Sequence, residues 1–191
     1  MSTPSGKIDI FSQAIASFRY DDCPSYPFWL ASDEWLSAPG AAQWSLHLIT
    51  HQPADKLHSQ MDVGKVSLAH KVSGRAPLPL NPGDATARGI CNGCIVHVFN
   101  AHGACLAGAV VDPGLMANAI VMPTGAWSDS ADSFLEKHGN PNVLTLDIGT
   151  SRLAQAPSAL SALVEVALWH GPLPEMRAHQ SPEIMPDDTA R

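Results

Sequence analysis

The stretch GCIVHVFNAHGACLAGAVV, residues 93–111, decides the fold class. Two apolar, β-rich runs, 95–99 and 106–111, lie on either side of a polar segment that contains Asn100 and Gly103. Apolar runs that flank a short glycine-containing loop are typical of a β-hairpin. The stretch therefore predicts two strands joined by a turn at residues 100–103.

Other short apolar runs outside this hairpin also predict strands. Residues alternate between apolar and polar around Leu46 and Leu48, which is the two-residue period of a half-buried strand. Three segments predict further strands: WSLHLIT (44–50), NAIVMPTGAW (118–127) and ALVEVALW (162–169).

One short helix is expected between these runs, in NPGDATARGI. Asp84 or one of its neighbours supplies the N-cap, and the helix ends near Gly89. Many short strands with one or two small helices are typical of an all-β barrel with insertions. No strand is followed by a glycine-rich loop and a helix, so a Rossmann or P-loop fold is excluded.

Composition divides the 191 residues into three segments. Residues 1–45 are aromatic and irregular and form a lead-in arm that packs on another surface through its rings. Residues 46–170 form the barrel. Residues 171–191 are proline-rich and are expected to be an extended or disordered tail.

Charge and cysteine content exclude several function classes. The chain has 11 basic and 18 acidic residues, a net charge of -7, and no basic cluster, which argues against nucleic acid as a partner. No apolar run is long enough to span a membrane, and no signal-peptide pattern opens the chain. Four cysteines are few for a disulfide scaffold of this size, which favours a reducing compartment.

Motifs for metal binding and for hydrolase chemistry have less support in this sequence than structural roles for the same residues. CNGC, residues 91–94, is half of a zinc site that Cys105, His97 or His102 would complete, but buried structural cysteines are the favoured interpretation. The nine histidines have no H-E-x-x-H spacing, and no serine lies in a G-x-S-x-G motif. We therefore expect no metal ligand and no catalytic residue in this chain.

Two polar loops, 50–60 and 138–158, carry the remaining chemistry. Both are rich in amides and hydroxyls, and neither contains an evident acid–base pair. Such groups donate and accept hydrogen bonds, which suits the binding of a large polar ligand better than bond cleavage. The alternative is that both loops are solvated connections.

The two loops also resemble the motifs of a known family. LHLITHQPADKLHSQMD (46–62) and HGNPNVLTLDIGTSRLAQAPSA (138–159) are similar to hallmark segments of the C-terminal domain of molybdenum-dependent S- and N-oxide reductases. These enzymes are the dimethyl sulfoxide, trimethylamine N-oxide and biotin sulfoxide reductases. TPSGKIDIFSQAIASF (3–18) resembles the segment that leads into this domain, and the resemblance covers roughly residues 2–170.

The resemblance implies a mainly β fold with short helices, the double-psi β-barrel. It also implies molybdopterin guanine dinucleotide as the ligand, two copies of which (bis-MGD) hold one molybdenum in these enzymes. The two loops are expected to meet on one face, with histidine and lysine toward phosphates and amides toward base and pterin edges. The implied cofactor-binding residues are Thr50, His51, Gln52, Lys56, His58, Ser59, Gln60, Asn140, Asn142 and Gln155.

The same resemblance implies what this chain does not contain. In the family, the serine that binds molybdenum and most substrate contacts lie in earlier domains. The chain is therefore expected to be a fragment of an oxidoreductase whose partners are the upstream domains, and to be inactive alone. Its tail resembles that of cytoplasmic members, so the cytoplasm is favoured over the periplasm. The alternatives are a free-standing, non-enzymatic barrel that binds another nucleotide or a protein, and a zinc module.

Several positions depart from the family pattern, among them Ala117 in place of a proline and the residues that follow TGAW. Cys94 replaces an acidic residue, and Asn118 and Ala156 replace glycines. If the backbone needs a positive φ at the two former glycine positions, each replacement costs about 1 kcal/mol or more.

Overall fold

The computed structural model describes residues 3–130, 134–156 and 161–181. The strands in this part of the chain are β1 (Leu46–His51), β2 (Pro77–Leu80), β3 (Ile95–Phe99), β4 (Ala104–Val111), β5 (Ala119–Pro123), β6 (Leu135–Glu136) and β7 (Ser161–Leu168). The α-helices are α1 (Gln13–Phe18), α2 (Lys65–His70) and α3 (Pro82–Ala87), and short 3₁₀-helices lie at Pro39–Ala42 and Pro141–Leu144.

Six of these strands close into a barrel. Their order is β2-β5-β1-β7-β3-β4, and pairing between β2 and β4 completes the circle. The pairs β1–β5 and β2–β4 are parallel, whereas the other neighbours in the barrel are antiparallel. The short strand β6 extends the sheet beside β4. The prediction of a mainly β, six-stranded double-psi barrel is confirmed.

The predicted hairpin joins β3 to β4. Phe99 pairs with Ala104, and the Asn100 N–H donates to the Gly103 carbonyl at 3.0 Å. The Asn100 side-chain oxygen also accepts from the backbone N–H of His102 at 2.9 Å. Asparagine therefore closes the turn with both its backbone and its side chain, as such residues do in turns.

Alternation along each strand builds the core. On β1, Leu46 and Leu48 are fully buried, whereas Ile49 and His51 face outward. On β2, Leu78 and Leu80 are fully buried in the same cluster. A side chain of this size that leaves water stabilises the fold by about 1.5–3 kcal/mol.

The helix α3 begins earlier than Asp84. Its N-cap is Asn81, whose side-chain oxygen accepts from the Gly83 N–H at 2.8 Å, and Pro82 takes the first helical position. Asp84 lies in the first turn, where its carboxylate accepts from the Asn118 N–H at 2.7 Å. The helix ends at Ala87, close to the expected end.

The CNGC segment differs from the favoured interpretation. Cys91 and Cys94 form a disulfide with each other, and Cys91 is exposed. Cys105 alone behaves as a buried core cysteine, since it has no solvent exposure.

The aromatic arm contacts the barrel through polar groups. The Glu34 carboxylate bonds His102 Nε2 at 2.6 Å and the Leu163 N–H at 3.2 Å. Large apolar side chains of the arm remain exposed, among them Trp29 at 73%. The boundary at residue 45 stays a prediction.

The described part of the tail, 171–181, is irregular but touches the barrel. The guanidinium of Arg75 donates to the Pro174 carbonyl at 2.9 Å. The N–H groups of Arg177 and Ala178 both donate to the Asp129 carboxylate. The prediction for the rest of the tail lies outside the described residues. No helix in the described ranges has the length and apolar character of a membrane span.

At one of the two positions where the family has glycine, the backbone is in the left-handed region. Asn118 has a φ of 62°, and its carbonyl accepts from the His47 N–H at 2.8 Å while its N–H bonds Asp84. Asparagine tolerates this region better than other non-glycine residues. Ala156 is not among the described residues with positive φ, so its replacement causes no such strain.

We predict that Asn118→Ala lowers the free energy of unfolding by about 1–2 kcal/mol, because alanine is disfavoured at positive φ. Urea unfolding measures this loss. Asn118→Gly is the matched control, and it should be at least as stable as the parent chain. Equal stability of the alanine and glycine variants would contradict the backbone argument.

Candidate functional site

An open cavity of about 620 Å³ lies where the two polar loops meet. Its walls come from the segments 51–59 and 124–128 and from the start of the second loop. The lining residues are His51, Gln52, His58, Ser59, Thr124, Gly125, Ala126, Trp127, Ser128, Asn140 and Asn142. Residues far apart in the sequence are thus brought to one face of the molecule.

Six of the ten predicted binding residues line this cavity: His51, Gln52, His58, Ser59, Asn140 and Asn142. Thr50 precedes them on β1 but is buried at 7% exposure. Gln60 lies in the turn closed by its bridge to Leu57. The Gln155 amide donates to the Ser151 carbonyl within its own loop. The geometry therefore supports the first six more than the others.

Lys56 is held away from the cavity. Its side chain is 4% exposed, and its ammonium lies 2.8 Å from the Asp62 carboxylate. The charge that the resemblance directs to a phosphate is thus engaged in a buried ion pair.

The two asparagines have different surroundings. Asn140 caps the 3₁₀-helix: its side-chain oxygen accepts from the Asn142 N–H at 3.0 Å, and its amide N–H donates to the Ala126 carbonyl at 2.9 Å. Asn140 thereby joins two walls of the cavity. The exposed Asn142 amide makes no side-chain hydrogen bond to the described residues, so it is available to a ligand.

A buried carboxylate positions this loop. Glu136, at 0% exposure, accepts from four backbone N–H groups. These belong to Asp129 at 3.0 Å, His138 at 3.0 Å, Gly139 at 2.6 Å and Asn140 at 2.7 Å. Burial raises the pKa of Glu136, and the four donors offset part of that rise.

A glycine lets the opposite wall close tightly. Gly125 has a φ of 85°, and a Cβ atom there would lie 1.8 Å from the His58 carbonyl oxygen. Only glycine permits this approach of two backbones. Beside it, the Trp127 indole N–H donates to the Ser59 carbonyl at 2.8 Å. The segment 58–59 is therefore fixed against Gly125 and Trp127, which we call the floor of the cavity.

A second buried carboxylate lies behind this floor. Asp62 accepts from the ammonium groups of Lys56 at 2.8 Å and Lys71 at 2.9 Å. It also bonds His179 Nε2 at 3.0 Å and the Trp127 N–H at 3.3 Å. Burial alone would raise the pKa of Asp62, but hydrogen bonds from Lys56, His179 and Lys71 hold it well below its ordinary value.

His138 belongs to the same network as a neutral ring. Its Nδ1 lies 2.8 Å from the Trp127 carbonyl, which only accepts, so Nδ1 carries the proton. Its Nε2 then accepts from the Lys71 ammonium at 3.1 Å. Burial, together with the Lys71 charge, lowers the pKa of His138 to about 4.

Asp62, His138 and His179 have the spacing of metal ligands, since their donor atoms lie within 4.8 Å of one another. Two ammonium groups, however, already bond the carboxylate, and Lys71 uses the free lone pair of His138. A cation placed there would meet two positive charges at close range. The arrangement is better described as an ion-pair network than as a metal centre.

The charge around the cavity contrasts with that of the whole chain. No aspartate or glutamate is among its described lining residues, although the chain carries a net charge of -7. The titratable side chains of the lining are the imidazoles of His51 and His58. This donor set suits a ligand with phosphates, hydroxyls and base edges.

A neighbouring groove of about 540 Å³ shares His51 with the cavity. Its walls are largely apolar and include Pro77, Pro79, Val110 and Pro123. Its charged lining residues are already paired with one another or with Asp62: Lys56 and Lys71 bond the Asp62 carboxylate, and His70 bonds Asp55. The groove is therefore the less suitable site for a polar ligand.

A family model, described as Molydopterin dinucleotide binding domain, matches residues 46–163, which is more than half of the chain. The chain belongs to this family. The cavity residues up to Asn142 all lie inside the matched range. The ligand in the family's description, a molybdopterin dinucleotide, is the class of ligand that the resemblance of the two loops implies.

Several curated relatives are reductases. Trimethylamine-N-oxide reductase of Salmonella typhimurium is 45% identical over 97% of this chain. Biotin sulfoxide reductase of Cereibacter sphaeroides is 45% identical over 90% of it, and dimethyl sulfoxide/trimethylamine N-oxide reductase of Rhodobacter capsulatus is 37% identical over 96%. The chain spans only 22–23% of the length of these relatives.

The fold also matches a solved structure. Acetylene hydratase from Pelobacter acetylenicus superposes with a TM-score of 0.68 over 87% of this chain and 24% of that chain. The sequences are 17% identical, so the likeness concerns the fold alone.

Several structural residues of the site were not predicted from the sequence. These are Asp62, Gly125, Trp127, Glu136 and His138. For Gly125 the available signal was a glycine within the predicted strand segment NAIVMPTGAW, which is typical of a close backbone approach. The buried charges gave no local signal, because their partners come from distant segments.

The neutral, buried His138 predicts a stability loss in weak acid. The pKa of His138 is about 4 in the folded chain and about 6.5 in the unfolded chain. As the pH falls from 6.5 toward 4, the unfolded chain takes up a proton at this residue and the folded chain does not. The free energy of unfolding therefore decreases over this pH range. From pH 7 to pH 5, we expect the parent chain to lose about 2 kcal/mol more than His138→Gln. Urea unfolding at both pH values measures this, and equal losses would contradict the assigned neutral state.

Proposed function

We propose that this chain binds the guanosine and pterin parts of a molybdopterin guanine dinucleotide within a molybdenum-dependent S- or N-oxide reductase. The observation that carries the proposal is the carboxylate-free cavity at the meeting of the two loops. Its volume of about 620 Å³ lies within the range typical of small-molecule sites. Family membership and the reductase relatives support the same ligand class.

The lining residues fit the chemistry of this cofactor. A nucleotide diphosphate needs cationic or N–H donors, and His51 and His58 offer imidazole N–H groups from one wall. Base and pterin edges need groups that donate and accept together, which the Asn142 amide does from the other wall. Ser59 and Gln52 add a hydroxyl and an amide between them.

The backbone around the cavity also fits a tightly held ligand. Gly125 leaves one wall without a side chain, and Asn140 fixes the position of the Asn142 backbone. The protein's own contacts hold these walls. Pre-formed walls reduce the ordering cost of binding.

The bound molybdenum cofactor supplies oxygen-atom transfer, and this chain supplies part of its cage. In the proposed assembly, two such dinucleotides share the metal, and upstream domains provide the metal ligand and the substrate contacts. The biotin sulfoxide and trimethylamine N-oxide reductase types are the proposed parents, on the strength of the 45% identity to each. The function of this chain is to hold and orient the dinucleotide.

The alternative is a free-standing barrel that binds another nucleotide through the same cavity. It predicts that adenosine diphosphate binds at least as tightly as guanosine diphosphate. The proposed function predicts a preference for the guanine ligand.

We predict that the chain binds GDP weakly and that Asn142→Ala lowers the affinity about fivefold, the effect of one hydrogen bond of about 1 kcal/mol. Titration followed by ¹H–¹⁵N NMR reports the affinity and the site together. Cross-peaks of residues 51–59 and 124–142 should move, and those of the apolar groove should not.

Gln43→Ala is the matched control, since Gln43 is exposed and is not among the residues that line the cavity. It should leave GDP binding unchanged. Binding that is lost equally in both variants, or that moves only groove signals, would contradict the assigned site. Equal or higher affinity for ADP would favour the alternative function.

A further inference from the structure

The CNGC turn is chemically distinctive and lies outside the cavity. It connects α3 to β3, and its two cysteines form a disulfide with a Cα–Cα distance of 5.4 Å. That distance is ordinary for a disulfide. The proposed cofactor function uses neither sulfur.

Hydrogen bonds hold this turn independently of the sulfurs. The Gly93 N–H donates to the Ala109 carbonyl and the Ala109 N–H to the Cys94 carbonyl, both at 2.8 Å. The Asn92 side-chain oxygen accepts from the Val111 N–H at 2.9 Å, and the Cys94 N–H donates to the Cys91 carbonyl at 3.1 Å. None of these bonds uses a sulfur atom, so we expect the turn to keep the two cysteines adjacent in the dithiol form as well.

The turn is also open to small reagents. Cys91 is exposed and Cys94 is half-buried. Gly93 has a φ of 81°, and no atom lies within 4 Å of the position where its Cβ would be. Cys105, in contrast, is fully buried, and burial raises the pKa of its thiol, so it cannot compete in exchange.

A zinc site at this turn lacks its other ligands. In the described part of the chain, the only cluster with metal-ligand spacing is the distant group of Asp62, His138 and His179. Cys105, His97 and His102, the residues that the sequence offered, do not form such a cluster with the two cysteines. A pair of thiols without further ligands is suited to dithiol–disulfide chemistry.

We propose that Cys91 and Cys94 form a reversible redox site that exchanges with low-molecular-weight disulfides and thiols of the glutathione class. In oxidation, the Cys91 thiolate attacks one sulfur of the disulfide reagent and releases one thiolate. The Cys94 thiolate then attacks the Cys91 sulfur, forms the intramolecular S–S bond and releases the second thiolate. Two electrons pass to the reagent, and the two cysteine protons pass to solvent or to the released thiolates.

The test equilibrates the whole chain in glutathione buffers of graded ratio without denaturant. Acid quenching, alkylation and peptide mass spectrometry then report each cysteine. The expected result is that Cys91 and Cys94 gain and lose the alkyl label together. The half-buried free Cys23 is labelled independently of this pair, and Cys105 is alkylated only after unfolding. A disulfide that resists reduction in the folded chain, or separate glutathione adducts on the two cysteines, would overturn the proposal.

Gly93→Ala tests the role of the turn without changing a sulfur. Alanine is disfavoured at positive φ, so the variant should form the disulfide less readily. The ratio of oxidised to reduced glutathione at which the pair is half oxidised should rise about fivefold. An unchanged midpoint would overturn the argument from a pre-formed turn. Protection of both thiols from alkylation by added zinc would overturn the redox assignment in favour of a metal site.

Discussion

The carboxylate of Glu136 is the interaction on which the cavity depends. It sits on β6, whose pairing with Cys105 attaches it to β4 of the barrel. From there it accepts four backbone N–H groups, three of them consecutive at His138, Gly139 and Asn140. Each donor left unsatisfied in the interior would cost about 1–3 kcal/mol. The barrel therefore dictates the path of the chain that presents Asn142 to the cavity.

Hydrogen bonds of Trp127 also fix the position of the cavity walls. Its N–H bonds Asp62, its carbonyl accepts from His138, and its indole N–H bonds the Ser59 carbonyl. All of its polar groups are thus engaged, and the buried network of Asp62 and His138 holds the floor of the cavity from behind. Because His179 of the tail also bonds Asp62, the tail takes part in positioning this floor.

The fold could be predicted because its signals are local. The alternation around Leu46 and Leu48 and the turn at Asn100 depend on near neighbours in the sequence. Five of the seven described strands followed from their own residues, whereas β2 and the two-residue β6 were not predicted. The helix cap was misplaced by three residues because Asn81, Pro82 and Asp84 all carry N-terminal signals. The sequence raised a positive φ only as a condition at two positions, and the backbone has one at Asn118 and none at Ala156.

The site was only partly predictable. Amide and hydroxyl content identified the two loops, and family resemblance was needed to bring them together. The resemblance directed Lys56 to a phosphate, but the fold places its ammonium on the buried Asp62 carboxylate. Its partner Asp62 is also bonded by His179, 117 residues farther along the chain, and no local pattern reveals such a network. The Cys91–Cys94 bond required knowledge of the turn geometry.

The central claim is that the cavity between the two loops holds the dinucleotide. A crystal structure of the chain with molybdopterin guanine dinucleotide tests it most directly. The account predicts ligand density between the segments 51–59 and 124–142, with the Asn142 amide in hydrogen-bond contact with the ligand. Density only in the groove lined by Pro77, Pro79 and Val110 would contradict it.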